Sequence, residues 1–122
     1  MTQDAKLLDL WHSFKNAVAY ELEAQNQLIA DQRFAKTIAI ENEIMSIEPE
    51  GPVGEIIKLG LRQWGELVPE TEKERYRELV ALTKMDVIAE LNSVFTDFAE
   101  DKGGKVLPFR LGTFHANRIR KI

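Results

Sequence analysis

Residue types able to hold a metal or move a proton are sparse in this chain. His12 and His115 stand 103 positions apart, there is no cysteine, and neither histidine has a second His at ligand spacing. Disulfides, thiolate metal sites and cysteine nucleophiles are therefore excluded together. Helical di-iron centres draw on Glu-x-x-His pairs, and no Glu here is followed by His three residues on. His12, between Trp11 and Ser13, reads as a packing residue at the edge of a core.

Carboxylates come in close pairs, at Glu21/Glu23, Glu41/Glu43, Glu48/Glu50 and Glu70/Glu72/Glu74. On a helix, a spacing of two turns side chains about 200° apart, so such pairs do not converge on one ion. They read as a solvated acidic surface with pairs such as Arg62 and Glu66 four residues apart. Ser13, Ser46 and Ser93 lie inside helical patterns without a glycine elbow. Lys102-Gly103-Gly104-Lys105 lacks the spacing and the hydroxyl of a phosphate-binding loop. No residue is nominated for catalysis, for a metal or for a cofactor, and the expectation is a protein that is not an enzyme.

The remaining chemical signal is charge. Residues 1–101 hold all 20 acidic side chains and ten basic ones, a net of −10, whereas residues 102–122 hold six basic side chains and no acid. Lys102, Lys105, Arg110, Arg118, Arg120 and Lys121 are interleaved with Phe114 and His115, and these eight are the candidate binding residues. Cations contact phosphates while rings stack on bases, so nucleic acid is one partner this segment suits. An acidic protein, a second subunit or the chain's own acidic body suits the same charges.

Something must carry that segment. The chain has 122 residues, 44 % of them apolar and 30 % charged, which excludes a collagenous or wholly disordered chain and leaves one ordinary domain. No apolar run exceeds four residues, against about 20 for a membrane span, and Asp4 and Asp9 interrupt the leucines of the N-terminus. The expectation is a soluble cytoplasmic protein with no membrane partner.

Leu7, Trp11, Phe14, Val18 and Leu22 form a helical stripe, and Phe34, Ile38, Ile40, Ile44 and Ile47 form another. One uninterrupted helix would be about 65 Å long. A break within residues 25–32 therefore divides two helices, at 4–27 and 31–47. Pro49, Gly51 and Pro52 separate these from a third helix with the stripe Val53, Ile57, Leu61, Trp64 and Val68, ended by Pro69. Gly60 and Gly65 within it predict close approach of a neighbouring helix. Thr71 and Glu74 match a capping box. They open a long fourth helix whose stripe runs Tyr76, Val80, Thr83, Val87, Leu91, Val94 and Phe98 to the double glycine at 103. Trp11 and Trp64 fall at core spacing. Val106 to Phe109 reads as extended, and Leu111 to Ile122 as a short basic helix.

The expected fold is all-α, a bundle of about four main helices over residues 1–101 with a basic appendage at 102–122. Three functions fit it. The first is an interaction or regulatory protein, its bundle mediating protein–protein or self association and its tail contacting nucleic acid or an acidic partner. The second is an acidic inhibitor of a basic nucleic-acid-binding protein. The third is an enzyme or ligand carrier with a pocket inside the bundle.

Overall fold

The computed structural model describes residues 2–101, with side chains to residue 97. They form an all-helical bundle of five helices: α1 (Gln3–Leu22), α2 (Gln27–Ser46), α3 (Pro52–Gly65), α4 (Glu70–Thr83) and α5 (Val87–Asp101). α1 lies at the centre, packed on α2, α3 and α5, while α3 packs also on α4 and α5. The stripe predicted for α1 faces inward, as does that of α3 from Ile57 to Trp64, whereas α2 buries Ala30, Thr37 and Ile44 and leaves Phe34 and Ile38 of its expected stripe half-buried. Leu7, Trp11, Phe14 and Val18 of α1 meet Ile57, Leu61 and Trp64 of α3 and Leu91 and Phe95 of α5 in one buried cluster. Trp64 stacks on Phe95 with ring centroids 5.5 Å apart. Both tryptophans are fully buried.

Helix ends explain where the boundaries fall. Thr2 Oγ1 accepts the Ala5 N–H at 3.1 Å and Asn26 Oδ1 accepts the Ile29 N–H at 3.0 Å, side-chain caps that start α1 and α2. The first break is therefore at residues 23–26, and α2 begins four residues before the expected position. Pro52 occupies the first turn of α3, where a missing N–H costs nothing. α3 ends at Gly65, three residues short of Val68. Lys58 of α3 donates to the carbonyls of Met45 and Ile47 at 3.1 and 2.8 Å, closing the C-terminus of α2.

The expected long fourth helix is two helices. Lys84 adopts a left-handed backbone (φ 59°) at the end of α4, and Asp86 Oδ1 accepts the Ala89 N–H at 3.0 Å to start α5. The stripe from Tyr76 to Val94 keeps helical period across this corner because α4 and α5 both face α3. A straight helix from Thr71 to Asp101 would be about 45 Å long and would carry its second half past α1. The corner instead turns α5 back onto α1. Tyr76 pins it: its hydroxyl donates to Asp86 Oδ1 at 2.7 Å and accepts the Ile88 N–H at 3.0 Å. Burial raises the Tyr76 pKa, and the bond to Asp86 reinforces the rise against the opposing Ile88 N–H, so the phenol stays protonated.

Two smaller expectations are corrected here. α4 starts at Glu70 with Pro69 at its N-cap and no side-chain cap, so the Thr71–Glu74 box does not form. Gly60 does admit a neighbour, since a Cβ there would lie 2.6 Å from the Cβ of Val87 and 3.1 Å from Tyr76. Gly65 does not; it is exposed.

Candidate functional site

Lys102, Lys105, Arg110, Phe114, His115, Arg118, Arg120 and Lys121 lie outside the described residues, as do the extended stretch and short helix expected around them. His12 is exposed on α1 rather than at the core edge. Among the described residues no three His, Asp or Glu side chains gather as a metal set. No helix there is long and apolar enough to cross a membrane.

Several acids of the bundle are held by backbone donors, an indole or cations of neighbouring helices. Asp4 is the most tightly held. Its carboxylate accepts the N–H groups of Glu50 and Gly51 at 2.7 and 3.1 Å and that of Gly54 at 2.9 Å, so an acid on α1 caps the first turn of α3. Burial pushes the Asp4 pKa up, but the three backbone donors together outweigh it and hold the carboxyl below the usual range. Glu90 of α5 accepts the indole N–H of Trp11 at 3.0 Å, and Lys15 lies 3.5 Å from the same oxygen and 5.3 Å from the Trp11 ring centre. Arg62 joins Glu66 and Glu72 at the α3–α4 junction, and Arg75 of α4 bridges to Glu55 of α3 and to Glu78. These pairs sit at different helix ends and junctions. One acid was misjudged from sequence: Glu21, expected on the surface, is fully buried on α1.

A different arrangement lies on the flank of α1 that faces away from Asp4 and Trp11. There α1 and α2, joined by four residues, leave an open groove of about 470 Å³ between them. Leu10, Ala17 and Ile40 form its apolar floor. Ser13 and Asn16 line the α1 edge, and Arg33 and Lys36 line the α2 edge. Tyr20 closes one end, 53 % exposed, with the Arg33 guanidinium carbon 3.6 Å from its ring centre. Arg33 Nη1 also donates to the Tyr20 carbonyl at 2.7 Å. Stacking and this bond fix the guanidinium over the groove's end while its other donors remain. Neither Arg33 nor Lys36 forms an ion pair with a described residue.

Sequence reasoning gave Tyr20 no role and passed over Arg33 and Lys36. A signal was present. Neither cation has an acid three or four residues away on α2, whereas Arg62 has Glu66 and Arg75 has Glu78. That spacing does not decide alone, since Lys15 also lacks an acid three or four residues away and pairs with Glu90 across the bundle. A second, smaller groove of about 290 Å³ between α2 and α3 is edged by Glu41, Arg62 and Glu66 and so carries both signs of charge. No protein-family model, no curated protein and no solved structure matches the chain.

Proposed function

We propose that the chain is a non-catalytic interaction protein of the cytoplasm. The bundle docks a protein partner or a second copy, and the basic stretch from Lys102 to Lys121 contacts nucleic acid or an acidic partner. The observation that carries this reading is the division of charge. Asp4 caps α3 and Glu55 and Glu72 pair with cations at the α3–α4 junction, while Arg33 and Lys36 face an open groove with no acid opposite. Six further cations follow in a stretch of sequence without an acid.

The inhibitor reading needs carboxylates converging on one face to mimic a polyanion. Asp4, Glu55, Glu72 and Glu90 instead serve separate helix ends and junctions, which favours the interaction reading. The ligand-carrier reading needs polar groups converging in an enclosed pocket. The groove's polar groups stand along open edges, which suits a chain segment better than a small molecule.

A fluorescence titration tests the tail. Short single- and double-stranded DNA and RNA are titrated with the intact protein and with a variant in which all six cations after residue 101 are glutamine. Salt-sensitive binding by the intact protein alone assigns nucleic acid to the tail, with a log–log slope of about −0.9 per duplex phosphate contact. Binding unchanged by neutralisation overturns the tail's role. No binding by either form directs the same cations to an acidic protein.

A further inference from the structure

We infer that the α1/α2 groove receives an amphipathic helix of a protein partner, with that helix's acidic edge against Arg33 and Lys36 and its uncharged polar edge against Ser13 and Asn16. This rests on the reading of the bundle as a docking module and names what it docks.

Shape and lining select the kind of occupant. From Leu10 to Tyr20 the groove follows α1 for about 15 Å, two to three turns of a helix. Its floor offers apolar contacts at Leu10 and Ala17, two turns apart on α1, and at Ile40 opposite. That is the footprint of a helical stripe with residues at i, i+3 or i+4, and i+7. Arg33 and Lys36 lie three residues apart on α2, about 4.5 Å along its axis. Two acids three or four residues apart on the incoming helix meet both. Arg33 is already oriented by Tyr20, so less side-chain freedom is lost on docking.

Charge separates this occupant from the others. A second copy docking through the same groove offers Arg33 and Lys36 no acid, because the groove's lining contains none. The chain's own basic stretch after residue 101 has six cations and no acid, the wrong sign for this edge. Nucleic acid meets two cations beside an apolar floor, on a body whose residues 1–101 carry a net of −10. An acidic helix satisfies edge and floor together.

The test uses the full-length protein and three fluorescein-labelled helical peptides of about 18 residues, long enough to be helical on binding. All three share one leucine stripe and one uncharged polar flank, and differ in carrying Glu, Gln or Lys along the other flank. The Glu peptide is expected to bind best. Lys36→Glu is expected to weaken that binding by about tenfold or more and to raise affinity for the Lys peptide. Amide shifts on binding are expected at Ser13, Asn16, Tyr20, Arg33 and Lys36. Arg33→Gln, with helix content checked by circular dichroism, is expected to weaken binding in the same direction. Binding of all three peptides alike, or of none, overturns the inference. Glu-peptide binding that survives Lys36→Glu but is lost when the six cations after residue 101 are neutralised overturns it too, while leaving the interaction function in place.

Discussion

Along one flank of α1, Asp4, Trp11 and Lys15 are tied to α3 and α5 by hydrogen bonds and an ion pair. Along the other, Ser13, Asn16 and Tyr20 face the cations of α2 across an open groove. The two flanks belong to a single helix of ordinary amphipathic sequence, yet their polar groups have different uses. On the first, each polar group satisfies a backbone donor, an indole or a neighbouring charge that would otherwise be left unpaired in partly buried surroundings. On the second, Arg33 stacks on Tyr20 and donates to its carbonyl, but neither its charge nor that of Lys36 is paired with an acid of the described residues. Charges that hold this fold together are recognised by their ion-pair partners, and charges open to binding by the lack of one.

Substitutions that separate stability from binding test this contrast. The largest effect is expected for Trp11→Ala, which empties a fully buried site and leaves Glu90 without its indole partner. It should lower stability by about 3–5 kcal/mol in urea unfolding. Next is Gly60→Ala, whose methyl would collide with Val87 and Tyr76 at the α4–α5 corner, with an expected loss of about 1–3 kcal/mol by the same measurement. An unchanged unfolding midpoint would show that α5 does not depend on that close approach.

Asp4→Asn sharpens the comparison through pH. It removes the charge from the α3 cap and should cost about 1 kcal/mol near neutrality. Asp4 in the folded protein lies below its ordinary value of 3.8. Its contribution is therefore complete above that value and disappears as pH falls through the folded pKa. Stability of the parent should drop below about pH 4, and the variant should show a shallower acid limb in unfolding followed against pH. Equal limbs would remove Asp4 from the acid response. The smallest stability effect is expected for Lys36→Glu, within about 0.5 kcal/mol, although it is the substitution expected to weaken recognition of an acidic helix by about tenfold or more. A large loss of stability there would place Lys36 with the structural charges and break the contrast.

Much of the bundle was legible before any coordinates. The stripes of α1 and α3, the proline-glycine boundary at residues 49–52, both tryptophans as core anchors and Gly60 as a point of close approach all follow from period and side-chain size. The corner at Lys84 was not legible. Lysine has no preference for a left-handed backbone, and the apolar period runs through the turn because both arms face the same neighbour. Cap partners distant in sequence were equally hidden. Asp4 stands in the first turn of its own helix, and its use as the cap of α3 depends on packing across 50 residues.

The sequence by itself determined that the chain is helical, that its core is aromatic and aliphatic, and that its charge divides after residue 101, because period, residue volume and charge are local properties. Only the tertiary structure decided which charges are paired and which are open. Pairing is a relation between side chains on different helices, as with Trp11 and Glu90, 79 residues apart. The groove of Arg33 and Lys36 exists for the same reason: α1 and α2 had first to be laid side by side.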